Sequence, residues 1–304
     1  MSQPKVEVVV KNACSSIGEG PYWDDASKSL LYVDIKNNDV HRYNTATSKD
    51  EVRHLKDTVS LVVPRRAGGY VVGLGRRLSL LEWDTGMVST IQEVDGDTGN
   101  RFNDGKCDAK GRLWAGTMGP ELYGKGFEPE AGSLYCLDVD RSIERMVSKV
   151  HISNGLAWTD DNKTFYYIDS IPRKVFAYDF DLETGAISNK RTAVDFAPFS
   201  KETHGLPDGM TIDTDGKLWV AGYGAAAVFK FDPETGKILQ KIDIPAKETT
   251  SVCWGGKNFD ELYVTCALVN LSPEEFKTKY PLAGSIFKVT GTGSKGRPAY
   301  MYEG

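Results

Sequence analysis

The stretch Arg112-Leu-Trp-Ala-Gly-Thr117 places one large aromatic residue, Trp114, inside a short apolar segment that ends at a glycine. Short segments of this composition, broken by Gly, Asp, Asn and Pro, are typical of β-strands and turns. Five further segments share the same pattern of an aromatic residue between apolar ones. They are LLYVDI around Tyr32, GYVVGL around Tyr70, FYYIDS around Tyr166, KLWVAG around Trp219 and ELYVTC around Tyr263.

The six aromatic anchors are separated by 38, 44, 52, 53 and 44 residues. A period of about 46 residues is the length of one four-stranded propeller blade. A two-domain β protein is the alternative, but no linker rich in Pro, Ser or Gly interrupts the repeat. The sequence therefore predicts an all-β protein, a six-bladed β-propeller forming a single domain over residues 1–304.

Two details of this prediction concern the ends of the chain and its helices. One short helix at most is expected, at Ser272–Lys279, where a serine N-cap precedes a proline at the first helical position. An exposed edge strand would favour aggregation. We therefore expect the strand at Val6–Val10 to pair in the last blade with residues near Ala299–Tyr302, which would bring the termini together.

Composition excludes several classes of protein. With 37 basic and 42 acidic residues the net charge is −5, which disfavours a nucleic-acid partner. No apolar run reaches the roughly 18 residues of a membrane span, and no signal peptide is recognisable, so no membrane partner and a cytoplasmic location are expected. The five cysteines are widely spaced and include no CxxC pair, as expected for reduced thiols in the core.

Polar residues recur at nearly the same distance before four of the anchors. Glu19, Asn103, Asn154 and Asp208 lie 13, 11, 12 and 11 residues upstream of them, each next to or near a glycine. Equivalent offsets in a propeller correspond to equivalent places on the innermost strands, which line the central channel. The remaining two repeats carry only Ser60 and Thr250 or Ser251 near this offset. Asn-Gly and Asp-Gly pairs are also ordinary turn residues, which is the alternative interpretation.

Carboxylates that converge on one axis would repel each other and would be costly to bury unless a cation lay between them. All of the candidate ligands are oxygen donors, which suits Ca²⁺, Mg²⁺ or Mn²⁺, with Zn²⁺ also possible. The four histidines show no metal-ligand spacing, and no phosphate-binding loop or nucleophile elbow is present. The sequence thus predicts one divalent cation and no organic cofactor.

Several strings together resemble the regucalcin/gluconolactonase family. They are Gly18-Glu-Gly-Pro-Tyr-Trp23, Asn100-Arg-Phe-Asn-Asp-Gly-Lys106, Ala115-Gly-Thr-Met118, Ile152-Ser-Asn-Gly-Leu-Ala-Trp158, Phe165-Tyr-Tyr-Ile-Asp-Ser170 and Pro207-Asp-Gly-Met210. The resemblance spans nearly the whole chain. It implies a six-bladed propeller with one divalent cation at the mouth of the channel, and hydrolysis of aldonolactones such as gluconolactone.

The resemblance also implies roles for individual residues. Glu19, Asn154 and Asp208 would be metal ligands, and Arg101, Asn103 and Glu121 would contact the substrate. Asp208 is in addition our candidate general base. The segment 119–131 would form a lid over the channel mouth, with Tyr123 and Phe127 as its large aromatic residues. This segment departs from the family pattern, so the choice of lactone is less well defined than the reaction.

The expected activity is therefore that of a gluconolactonase-like carboxylic ester hydrolase, acting as a monomer on a small-molecule lactone. Two alternatives remain open at this point. The same ion could serve a calcium-binding regulatory protein of the regucalcin type. The site could also hydrolyse organophosphates, or act as a luciferin-regenerating enzyme does.

Overall fold

The computed structural model describes residues 3–122, 124 and 126–304, and strands account for most of its regular structure. Strand β1 (Lys5–Val10) and 23 of the strands that follow it form six four-stranded antiparallel groups, and the remaining two strands form one small hairpin. Both helices of the described chain are short, and neither could span a bilayer.

The strands are assigned to six groups, in each of which consecutive members are hydrogen-bonded neighbours. Group 1 contains β2 (Gly18–Asp24), β3 (Ser29–Asp34), β4 (Asp39–Asn44) and β5 (Lys49–His54). Group 2 contains β6 (Val59–Pro64), β7 (Tyr70–Leu74), β8 (Arg77–Leu81) and β9 (Val88–Glu93). Group 3 contains β10 (Arg101–Cys107), β11 (Leu113–Met118), β14 (Gly132–Leu137) and β15 (Ile143–Val150).

Group 4 contains β16 (Ser153–Trp158), β17 (Thr164–Asp169), β18 (Lys174–Phe180) and β19 (Ile187–Asp195). Group 5 contains β20 (Leu206–Ile212), β21 (Leu218–Tyr223), β22 (Ala227–Phe231) and β23 (Ile238–Asp243). Group 6 contains β24 (Glu248–Gly255), β25 (Glu261–Ala267), β26 (Ile286–Thr290) and β1. The residue pair Tyr223–Glu248 joins groups 5 and 6 into one eight-stranded sheet. The small hairpin, β12 (Glu121–Leu122) and β13 (Gly126–Phe127), is inserted in group 3.

The first strands of the groups contact one another in a closed sequence. Strand β2 contacts β6, and the contacts continue through β10, β16, β20 and β24 back to β2. The second strands lie in the core and carry all six aromatic anchors, which are buried. The fourth strands of groups 1 to 4 consist mostly of exposed and partly buried residues. The repeat predicted from the anchors is therefore a repeat of structure.

A local motif explains two of the anchors. Asp108-x-x-Gly-x-Leu-Trp114 recurs as Asp213-x-x-Gly-x-Leu-Trp219. In each copy the aspartate Oδ2 accepts a hydrogen bond of 3.0 Å from the indole N–H six residues later. Oδ1 of the same aspartate accepts backbone N–H groups of the intervening turn. The turn and the buried ring are thereby fixed together.

One expectation requires correction, and two are confirmed. Helix α2 (Pro273–Thr278) begins after the predicted Ser272 cap, which accepts a hydrogen bond from the Glu275 N–H. A second helix, α1 (Lys201–His204), is present as well, together with a 3₁₀ turn at Ile35–Asn37, so the limit of one helix is wrong. Both are single turns, too short to show a helical period. All five cysteines are buried and free, as predicted.

Strand β1 closes the last group as expected, but its partner is different. It pairs with β26, whereas Tyr302 forms a bridge to Arg65 in group 2. Residues 295–304, which we name the C-terminal strap, instead run along the C-terminal ends of the first strands. The strap contacts every group. Backbone hydrogen bonds join it to Pro64 in group 2, Gly111 in group 3, Thr214 in group 5 and Phe259 in group 6. Arg297 forms an ion pair with Asp160 in group 4, and the Ala299 carbonyl accepts a hydrogen bond from the Tyr22 hydroxyl in group 1.

Candidate functional site

All six first strands have a break in pairing register near their beginnings. The breaks lie at Glu19/Tyr22, Val59/Leu61, Phe102/Gly105, Asn154/Leu156, Pro207/Met210 and Thr249/Ser251. The polar residues singled out by the repeat lie at or within these breaks. Such bulges re-aim side chains and are frequent beside active sites. The common offset in the sequence therefore corresponds to a common bulge.

The amide side chains of the site form a continuous chain of hydrogen bonds. Arg101 Nη1 donates to Asn103 Oδ1 at 2.8 Å, and Asn103 Nδ2 donates to Asn154 Oδ1 at 3.0 Å. Asn154 Nδ2 in turn donates to Ser170 Oγ at 2.8 Å, and Ser170 Oγ donates to the Pro207 carbonyl at 2.7 Å. The chain connects groups 3, 4 and 5 and fixes the orientation of both amides, with their oxygens available for a further contact.

The carboxylates of Glu19 and Asp208 are buried at the same end of the ring. Burial and, secondly, the charge of Asp104 raise the pKa of Glu19 to about 8, against a hydrogen bond from the Gly20 N–H that lowers it. Burial likewise raises the pKa of Asp208 well above its usual range, with added repulsion from Glu19 and Asp104. No residue in the described parts of the chain donates a hydrogen bond to the Asp208 carboxylate.

Arg101, a predicted substrate-binding residue, carries a positive charge close to these two carboxylates. Burial lowers the pKa of Arg101 to about 10, while the charges of Glu19 and Asp208 oppose that change. Arg101 thus makes hydrogen bonds to Asn103 and to the Phe102 carbonyl, and faces the two carboxylates at longer range. The structure therefore places Arg101 close enough to Glu19 and Asp208 for their charges to interact. It also joins Arg101, Asn103 and Asn154 by hydrogen bonds.

The sequence analysis did not identify two charged residues close to Asn103 on β10, Asp104 and Lys106. Asp104 is buried, and burial raises its pKa, whereas Lys106 lowers it. Lys106 Nζ donates to the Met210 carbonyl on β20 at 2.8 Å, so its side chain reaches across the ring past β16. Side chains alternate faces along a regular strand, so Asp104 would be expected to face away from Asn103. The bulge between Phe102 and Gly105 removes that alternation, and only the adjacent Gly105 gives a sequence signal of it.

A third missed residue, Glu248, begins β24 beside the site. Its side chain is buried, which raises its pKa to about 7, and its Oε2 has no hydrogen-bond partner among the described residues. Its charge also contributes to the raised pKa of Asp208. The repeat offset could not identify Glu248 because it lies three residues before Ser251, outside the register of the predicted site residues.

The donor set is consistent with a hard cation. Glu19, Asn154 and Asp208 supply only oxygen atoms, and Asp208 lacks a donor to stabilise its charge. A divalent ion here would favour the ionised forms of both carboxylates, which burial disfavours. In the described residues, no group of three or more His, Cys, Asp or Glu side chains could hold a metal by itself. The amide oxygen of Asn154 would complete the predicted set of ligands.

Glu121 is more exposed than the other predicted substrate residues, Arg101 and Asn103. Its side chain is 62% exposed on β12, and its carboxylate lies 3.5 Å from Lys36 Nζ. It lines a cleft of about 530 Å³, which we name the mouth cleft, together with Arg101, Arg76, Arg77, Asp57 and Phe127. The proposed lid residue Phe127 is 37% exposed beside it. Tyr123, the other lid residue, lies outside the described residues.

The chain belongs to the family described as SMP-30/Gluconolactonase/LRE-like, which it matches over residues 17–268. Regucalcin of Sus scrofa is 47% identical, with 100% of both chains covered. Among solved structures, a luciferin-regenerating enzyme is 36% identical with a TM-score of 0.89, covering 99% of this chain and 100% of that one. The calcium-binding protein regucalcin from Agrobacterium tumefaciens is 26% identical with a TM-score of 0.89, covering 97% and 96%.

Proposed function

We propose that this protein is a metal-dependent hydrolase that opens sugar lactones. The observation that carries the proposal is the pair of buried carboxylates, Glu19 and Asp208, beside Arg101 and two oriented amides. Membership of a family whose description includes gluconolactonase supports it. We also propose that the six groups are the blades of a single six-bladed propeller domain over residues 1–304, with the site at the mouth of its channel.

Each site residue has a role in this proposal. Glu19, Asn154 and Asp208 would hold one divalent cation, which when bound would polarise the lactone carbonyl as a Lewis acid. Arg101 offers a planar set of donors, and Asn103 can both donate and accept, which suits the hydroxyls of a polyol. Because all of these residues come from one chain, a monomer would suffice.

The reaction requires a proton acceptor near the attacking water. Water adds to the carbonyl carbon, the ring C–O bond breaks, and the ring oxygen gains a proton to give the open hydroxy acid. Asp208 is our candidate for the base that removes the proton from water. Arg101 is placed to stabilise negative charge as it develops on oxygen, because burial strengthens such an interaction.

Two relatives favour other uses of the same site. The structure from Agrobacterium tumefaciens is described as a calcium-binding protein, and another neighbour is a luciferin-regenerating enzyme. A calcium-binding regulatory role would need the ion but no turnover. A phosphotriesterase-like or luciferin-regenerating role would use the same cation on a different substrate.

One series of assays separates these possibilities. Metal-free protein is supplied in turn with Ca²⁺, Mg²⁺, Mn²⁺ or Zn²⁺, and is tested on gluconolactone, on other lactones and on an organophosphate ester. The same samples are titrated by calorimetry. We expect at least one ion to restore lactone opening well above the spontaneous rate. Binding of Ca²⁺ without turnover of any substrate would instead favour the regulatory role.

A further inference from the structure

The mouth cleft extends the candidate site beyond the reacting groups. It shares Arg101 with the site, but its lining does not include Glu19, Asn154 or Asp208. Its volume of about 530 Å³ is within the usual range of small-molecule pockets, roughly 300–1,000 Å³. A ligand whose lactone group reaches the carboxylates would therefore leave room for a further substituent in the cleft.

Three of the four cations that line the cleft, all except Arg101, are paired with carboxylates. Arg77 Nη2 lies 3.1 Å from Asp57, Arg76 Nη2 lies 2.8 Å from Glu93, and Lys36 faces Glu121. A phosphate substituent is best bound by cations in surplus, often by arginine forks. Here every one of these three cations already has a carboxylate partner, so the cleft presents donors and acceptors side by side. A hydroxyl group uses both, since it donates one hydrogen bond and accepts others.

Two further features suit a sugar ring. Phe127 offers a partly exposed aromatic side chain, which can cover the apolar C–H surface of a pyranose. Arg76 Nη1 is buried and has no acceptor among the described residues, so the wall of the cleft contains a donor that could bind a ligand oxygen. Together with the ion pairs, these features describe a polar cleft with one apolar surface.

We propose that the mouth cleft holds a second sugar unit, so that the substrates of this site include aldonolactones bearing a glycosyl group. This inference rests on the lactonase function proposed above. Arg101 would lie between the two subsites, with the lactone ring toward Glu19 and Asp208 and the glycosyl unit toward Arg77 and Phe127.

The test compares D-glucono-1,5-lactone with its 4-O-glucosyl derivative, cellobiono-1,5-lactone. The wild-type protein should show about a tenfold higher kcat/KM for the glucosyl lactone, as expected from one added hydrogen bond to a charged group. Arg77→Met should bring the ratio close to one while leaving kcat/KM for gluconolactone unchanged. Arg191→Met, which breaks an exposed ion pair with Asp179 on group 4, is the matched control and should retain the wild-type ratio.

Equal or lower kcat/KM for the glucosyl lactone would overturn the proposal, and so would a preference for gluconolactone 6-phosphate over both. A binding experiment separates this failure from failure of the lactonase function. If neither lactone is hydrolysed, titration with the open acids cellobionate and gluconate still tests the cleft. Tighter binding of cellobionate that is lost in Arg77→Met would support the second subsite, whereas indistinguishable binding in the wild-type protein would refute it.

Discussion

Glu19 and Asp208 show what burial does to two acids on the first strands of a ring. Each is buried, which raises its pKa, and the charge of Glu19 raises the pKa of Asp208 further. Such a pair is stable in the uncharged state or with a cation between its members. The sequence could supply their identity and spacing, but their raised pKa values depend on Asp104 and on burial, which become apparent only once the strands are placed.

The first prediction concerns the ligands of the cation. Glu19→Gln and Asp208→Ala should each weaken divalent binding by about 100-fold or more, and Asn154→Ala should weaken it less, because it removes no charge. Calorimetric titration of metal-free protein measures the affinity. The exposed Glu234→Gln is a control that should bind normally. Wild-type affinity and stoichiometry in all three site variants would show that the ion binds elsewhere.

A second prediction follows from the pKa of Glu19. Since that pKa is about 8 without metal, the carboxylate is protonated at pH 6 and an incoming ion must displace the proton. Apparent affinity should therefore rise with pH, by about tenfold per unit between pH 6 and 8 for this one proton. Titrations across this range in buffers of different ionisation enthalpy report both the affinity and the released proton. Glu19→Gln should have a flatter profile, and a flat wild-type profile would contradict the prediction.

At the scale of single elements, the first strands and the β12–β13 hairpin make different contributions. The bulged first strands hold the site residues within a hydrogen-bonded sheet, so their positions are set by the fold. The hairpin is exposed on both of its two-residue strands and follows directly from β11. We therefore expect changes in the hairpin to affect the substrate rather than the ion.

The third prediction applies this difference to Phe127. Phe127→Ala should leave metal affinity unchanged while raising KM and altering the preference among lactones, because the ring lines the cleft and supplies no ligand. Steady-state kinetics with two lactones of different ring substituents provides the measurement. Tyr300→Ala, which removes a similarly exposed ring from the strap, should behave as wild type. An unchanged kcat/KM for every lactone in Phe127→Ala would remove the hairpin from the site.

The strands were predictable from sequence to a greater extent than the site was. Each aromatic anchor is flanked by residues that can only be buried, so Trp114 and Trp219 mark second strands regardless of what surrounds them. Bulges leave no comparable mark, because the pairing shift depends on the neighbouring strand. The exposure of Glu121 could not be predicted either, since it follows from the position of this residue on the exposed hairpin.

For the whole molecule, the largest difference from expectation is the path of the C-terminal strap. Tyr302 was expected in the strand that closes the ring, but it is buried among residues of groups 2 and 3. Its hydroxyl donates to the Asp138 carbonyl at 2.8 Å, and its N–H donates to the Pro64 carbonyl. The apolar sequence Ala299-Tyr-Met-Tyr302 fits an inserted segment as well as an edge strand, and in the structure only Tyr302 of these four residues is buried.

The fourth prediction tests the strap. Tyr302→Ala should lower the free energy of unfolding by about 3–5 kcal/mol, as for other large buried rings, because it leaves a cavity between two groups. Tyr300→Ala, two residues away and 48% exposed, should cost less than about 0.5 kcal/mol. Denaturant titration of both variants measures the difference. Similar stabilities would show that the strap is not fixed to the ring.

The strap also bears on the order of events during synthesis of the protein. Residues 295–304 are synthesised after all six first strands, yet they contact every group. Strand β1 is synthesised first, but its pairing partner β26 lies about 280 residues further along the chain. The ring therefore cannot acquire its full set of contacts before residues 295–304 have been synthesised. A nascent chain that stops before β26 would leave β1 unpaired, and one that stops before residue 295 would lack the strap contacts, so a chaperone would be most needed in this interval.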